Sequence, residues 1–212
     1  MTEMNVITSY VLVRNGKVIR DGEVVFENAA TNASDFLKSA YEALAINYPK
    51  FFKMDELCKV GFLAAESLLR AGQLGKYKAE EKGVLFSNAN SSLSTDILYN
   101  ESTKQMASPA LFVYTLPNIL IGELCIKNQI KGESACFVFD IFDPEFQTKY
   151  LNLLLDSGKI KVGVSGWADF YDEKYEALFY LVERKEGDNY FKNDSQIVSK
   201  IYQGTWNNSL QP

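Results

Sequence analysis

The chain has 212 residues, 47% of them hydrophobic, enough to bury one good core or two small ones. Twenty-two Lys and Arg against 27 Asp and Glu leave a net charge of −5. With no basic surface to release counterions from phosphates, nucleic acid and anionic membranes are disfavoured, and a basic or mixed-charge partner fits better.

Residues 5–13 (NVITSYVLV) predict a β-strand, and Val18 to Phe26 a short hairpin closed by Asp21-Gly22. Ser34 is placed to cap a helix over 35–47, with Phe36, Ala40 and Leu44 on one face and Leu37, Tyr41 and Ala45 beside them. Asp55 is placed to cap a second helix, to about Ala71. It would turn Leu57, Gly61, Ala64 and Leu68 inward, with Gly72 as its left-handed stop. GVLF at 83–86 predicts a short buried strand. The polar run SNANSSLSTD at 87–96 suits a loop or the caps of a short helix. Thr115 predicts a helix cap with Pro117 in the first turn. That helix, to Asn128, is apolar nearly all round except for an i, i+4 pair of Glu123 and Lys127, and Gly122 offers a neighbour close approach. A strand over 135–139, a helix over 145–156 and strands over 159–166 and 176–183 follow. Such alternation implies one α/β layered domain with a parallel or mixed sheet.

The N-terminus MTEMNVITSY has neither the basic nor the apolar region of a secretory signal, and no run of 18 apolar residues is present. Cys58, Cys125 and Cys136 stand at unrelated spacings and fit buried thiols in a reducing compartment. The expected location is cytoplasmic. No phosphate loop, dinucleotide fingerprint or zinc spacing occurs, so no metal or cofactor is expected.

Five segments, in order, carry a family resemblance: KMDELCKVGFLAAESLLRAG at 53–72, GVLFSNANSSLSTD at 83–96, SPALFVYTLPN at 108–118, KVGVSGWAD at 161–169 and EALFYLVERK at 176–185. Together they resemble the N-terminal half of β-ketoacyl-acyl-carrier-protein synthases, most strongly over residues 50–185. The resemblance implies the thiolase-like layered fold, N-terminal half only, with a mixed sheet between helices, as one domain over 1–212. It also implies a strand after Lys131-Gly132 leading to a cysteine nucleophile at a helix N-terminus, where the macrodipole favours thiolate. Counting without gaps from Gly132 to Gly158 puts Ile141 at that position, inside DIFDP. Isoleucine cannot attack a thioester, and Asp140 and Asp143 beside it repel a developing oxyanion. The family's histidines are absent too, since the chain has none.

Cys136, in Ser134-Ala135-Cys136, is the alternative nucleophile if the alignment shifts by five residues. The competing reading is a small apolar side chain in a strand, with Phe137 and Phe139 on the opposite face and no glycine following for a sharp turn. Cys58 and Cys125 read as core. The carboxylates of DFYDEKYE at 169–176 read as a solvated turn.

The expected function is therefore a non-catalytic ketosynthase-like accessory protein, similar to a chain-length factor, in fatty-acid or polyketide-type biosynthesis. Alternatives are an acyltransferase or thioesterase using Cys136, and a stand-alone acyl- or acyl-carrier-binding module. The family pairs the strand before the nucleophile across a two-fold axis. Here the interface would comprise Cys136, Phe137, Val138 and Phe139, as a homodimer or as a heterodimer with a full-length ketosynthase, with acyl carrier protein as a further partner. Against a dimer, the tail after Lys185 carries Ile197, Ile201, Tyr202 and Trp206, which could fold back over the apolar face left bare.

Overall fold

The computed structural model describes residues 3–29, 32–69, 72–186 and 190–206. They form a mixed sheet in the order β3-β2-β1-β7-β6-β4-β5, with β8 also on β1. The strands are β1 (Glu3–Arg14), β2 (Lys17–Arg20), β3 (Glu23–Glu27), β4 (Lys82–Asn88), β5 (Ser134–Val138), β6 (Val162–Tyr171), β7 (Lys174–Glu186) and β8 (Phe191–Lys192). β4 runs parallel to both β5 and β6, and the remaining pairs are antiparallel. Parallel strands need cover on both faces, and β4 is buried along its whole length.

One face carries α1 (Ala33–Ala43), α2 (Glu56–Leu68) and α5 (Ile119–Asn128), in the larger core with Phe36, Phe51, Phe62, Phe86 and Phe179. The other carries α6 (Pro144–Asp156) and α7 (Ser195–Gln203), over Leu85, Leu151, Trp167, Tyr180 and Val198. The tail thus folds back as a helix. Val198 and Ile201 are buried, while Ile197, Tyr202 and Trp206 pack against the same core. The expected sheet between helices is what the chain builds. Among the described residues, no helix is long and apolar enough to cross a membrane.

Local chemistry moves several boundaries. Asn32, not Ser34, caps α1 by accepting from the Asp35 amide, and the helix stops at Ala43, ahead of Ala45 in the left-handed region. Asp55 caps α2 by accepting from the Cys58 amide. That helix ends at Leu68, so Gly72, left-handed as expected, lies beyond its end; Ala71 is outside the described residues. The helix expected from Thr115 is two. Ser108 caps the short α4 (Pro109–Val113), accepting from the Leu111 amide, and α5 starts only at Ile119. Thr115 instead donates its hydroxyl to Phe112 O, and Pro117 lies between the helices.

α5 buries one face only, with Leu120, Ile121, Glu123 and Leu124 inside and Ile126 66% exposed. Glu123 does not pair with Lys127. It turns inward to accept from Tyr48 OH at 2.7 Å and Lys50 Nζ at 3.0 Å, while Lys127 reaches Asn47 O. The close approach to α2 occurs at Gly61, where a Cβ would run into the Leu120 side chain. At Gly122 a Cβ would meet nothing within 4 Å. Gly122→Ala should therefore stabilise the protein by about 0.5–1 kcal/mol in urea unfolding, through backbone entropy alone. Gly132→Ala should cost several times that, because its Cβ would strike the carbonyl oxygens of Lys82 and Glu80, and backbone cannot yield as a side chain does.

Glu66 sits between α2 and α5. Burial raises its pKa, and the Asn128 amide at 2.7 Å and Lys127 offset only part of that. A folded-state pKa above the unfolded one means stability falls as pH rises through the unfolded value. Glu66→Gln should raise the Tm at pH 7, an advantage that disappears below the ordinary glutamate pKa. Melts at pH 3.5 and pH 7, about one unit below and well above that value, check it.

Candidate functional site

β5 is one of the two outer strands of the sheet, β3 being the other, and is paired on one side only. Val84 N–H bonds Glu133 O, and Phe139 N–H bonds Asn88 O. Parallel pairing alternates by two residues, so the Ala135, Phe137 and Phe139 amides face β4 and the Cys136 and Val138 amides face outward. The side chains alternate across the sheet too. Cys136 packs against the α2–α5 core and Phe137 against the α6–α7 core.

Phe137 stands at 4.7 Å from Phe146 and 5.4 Å from Tyr150 between ring centroids, both edge-on, and Phe139 is 4.9 Å from Phe146. This half-buried aromatic row runs along the open edge. Val138, on the opposite face, is 52% exposed. The sequence had pointed to Phe137 and Phe139. The α6 half of the row, Phe146 and Tyr150, was legible only as an i, i+4 aromatic pair.

After β5 the chain turns through Asp140, Ile141 and Phe142 into α6, where Asp143 accepts the Phe146 amide at 2.9 Å as N-cap. This is a strand–turn–helix with Ile141 at its crest, 75% exposed, in an open depression of about 470 Å3 that Asp140, Asp143 and Glu145 also line. The side chain at the crest holds no nucleophilic atom. A carboxylate occupies the helix N-terminus that would otherwise attract an anion.

Cys136 lies inside β5, away from that turn, and burial pushes its thiol up to about 11. Burial also raises Cys125, and raises Cys58 well beyond the ordinary thiol range, with Asp55 adding to it. None of the three is poised as thiolate. From the thiolate fraction alone, Cys136 should alkylate with iodoacetamide at pH 8 about a hundredfold more slowly in the folded protein than in urea. Mass-resolved labelling of each cysteine checks this.

The 169–176 carboxylates divide: Asp172 and Glu173 lie in an exposed turn between strands, as expected, while Asp169 and Glu176 are tied inward. Asp172 and Glu173 form the β6–β7 turn in the left-handed region, and Glu173 accepts the Ala33 amide at 2.8 Å. Asp169 accepts the Ala89 and Asn90 amides, and Glu176 accepts Trp167 Nε1 at 3.0 Å and Tyr202 OH at 2.5 Å. They are structural ties that hold the β4–α3 turn and the tail to the hairpin. Among the described residues, no group of three or more Asp, Glu, Cys or His could hold a metal.

A second surface lies where α3 (Leu93–Thr103) packs against α4 beside β6. It leaves Ile97, Leu98, Met106, Phe112, Val113 and Leu116 between 46% and 83% exposed.

No protein-family model matches the sequence, and a search of curated proteins returns no match. Solved structures do match. The ishigamide ketosynthase/chain length factor aligns at 14% identity and TM-score 0.60, over 88% of this chain and 64% of that one. A ketosynthase (ApeO) in complex with its chain length factor (ApeC) from Xenorhabdus doucetiae aligns at 13% identity and TM-score 0.54, over 87% and 80%. Ketosynthase twelve of the bacillaene polyketide synthase from Bacillus amyloliquefaciens aligns at 15% and 0.53, over 92% and 42%. The fold is that of the ketosynthases, which is thiolase-like. The chain spans less than two thirds of the first of these structures.

Proposed function

We propose that residues 1–212 act as one non-catalytic accessory subunit, similar to a chain-length factor, which pairs through β5 with a full-length ketosynthase in fatty-acid or polyketide-type biosynthesis. The carrying observation is the β5–α6 turn: an open, aromatic-lined strand edge leads into a crest that holds Ile141 where the family resemblance places the nucleophile. The neighbours named as ketosynthase and chain length factor complexes support the reading. The raised Cys136 thiol counts against the acyltransferase and thioesterase alternatives. A heterodimer is favoured over a homodimer because one of the neighbours is a ketosynthase in complex with its chain length factor. Acyl carrier protein is then a partner of the assembled pair, in the cytoplasm.

Two measurements test this. The chain alone should release no carbon dioxide from malonyl-acyl-carrier protein. Turnover that Cys136→Ala abolishes would contradict the proposal. Co-expressed with a full-length ketosynthase from the same genome, the chain should co-purify with it. Val138→Glu, a change at an exposed side chain, should remove at least about 90% of that recovery while leaving the Tm within about 2 °C.

A further inference from the structure

We propose that the cavity between the start of α2 and α3 is a binding site for a small neutral amphiphile, an alkyl chain of about eight carbons ending in a hydroxyl or similar uncharged polar group. The cavity holds about 230 Å3. Its walls are Met54, Leu57, Leu111 and Phe170, with Leu98 at the lip. An apolar cavity of about 150 Å3 takes up benzene, so by proportion this one accommodates roughly nine heavy atoms.

Two hydrogen bonds hold it open. Thr95 Oγ1 donates to Asp55 Oδ2 at 2.7 Å and fastens α3 to the cap of α2. Ser92 does not cap α3 with its side chain. It donates to Thr115 O at 2.6 Å and ties the start of α3 to the segment after α4. The helices are thereby fixed at their polar ends while the apolar space between them stays unfilled. Ser91, whose backbone is left-handed at φ 51°, lines the same space with Ser94, and their hydroxyls supply the polar end.

Charge sets the ligand class. Among the described residues, the ionisable groups lining the cavity are Asp55 and Glu56. Asp55 already accepts from Thr95 and the Cys58 amide, and Glu56 pairs through Oε1 with Lys59 at 2.7 Å, while its buried Oε2 has no hydrogen-bond partner among the described residues. No cation lines the cavity to receive an anion, and a carboxylate brought in would meet two others and lose its water.

The test uses the full chain labelled with 13C at the methionine methyls and 1-octanol as probe. Met54 lines the cavity, and Met106, 83% exposed, is an internal control. The Met54 resonance should shift saturably, with a dissociation constant of about 0.1–1 mM for a ligand of this size, and Met106 should not follow. Octanoate at neutral pH should bind at least about tenfold more weakly. Ser94→Phe should fill the space and abolish the Met54 shift, and Ser94→Ala, which removes one of the two hydroxyls, should weaken binding about three- to tenfold. If Ser94→Phe does not fold, Leu98→Trp closes the mouth instead, with the same expected loss. An unmoved Met54 up to the solubility limit of octanol, equal movement of Met54 and Met106, or octanoate binding as well as octanol would each overturn the proposal.

Discussion

Everything in this molecule depends on covering both faces of β4 and β6. Two parallel strands without a water-facing side require a helix on each face. α2 covers one face and is itself enclosed nearly all round, with Val60, Phe62, Leu63, Ala64 and Ala65 all buried. α6 meets the other, and a buried polar contact fixes its rotation. Gln147 donates to Ser87 Oγ and to Gly166 O, and accepts from Ser165 Oγ at 2.7 Å. These groups reach no solvent, so any other rotation of α6 leaves donors and acceptors unpaired in the core, each at about 1–3 kcal/mol. The placement of Asp143, and with it the Ile141 crest, follows from that constraint.

The second face is finished by the chain itself. α7 packs beside α6, and Arg14 Nη1 donates to Tyr202 O at 2.7 Å near its C-terminus. Outward, this layer shows Lys149, Gln196, Lys200 and Gln203, and Leu153 is its one large exposed apolar side chain among the described residues. A surface of that composition is suited to water. The unsatisfied surface is elsewhere, along the β5 edge and over α3 and α4, and these are where contacts with other molecules are expected.

The long strands and the cap at Asp55 were legible because each rests on local chemistry: alternation, and a short side chain that accepts an amide. The open edge came from resemblance rather than periodicity, since nothing local in SACFV says which side remains unpaired, and the strand order is set by non-local pairing that no segment shows by itself. What failed was non-local. Glu123 and Lys127 have ideal helical spacing, yet Tyr48 and Lys50, more than 70 residues away, claim the glutamate. Thr115 followed by Pro117 has the form of a helix start, but Ser108 caps an earlier turn and α5 begins only after Pro117. The small residue that matters for helix contact is Gly61, not Gly122, because contact depends on which face meets α2. Asp169 and Glu176 looked solvated for want of any visible partner, and their partners come from the turn after β4, from Trp167 and from the tail.

The central claim is that β5 is the edge at which this chain joins its partner. Amide hydrogen exchange of Ala135 to Val138, read residue by residue with and without a full-length ketosynthase, tests it most directly. In the isolated chain, Ala135 and Phe137 should be protected by β4 and Cys136 and Val138 should exchange freely. In the complex, all four should be slow. Cys136 and Val138 amides that remain fast in a complex of demonstrated stoichiometry would show that the partner binds elsewhere.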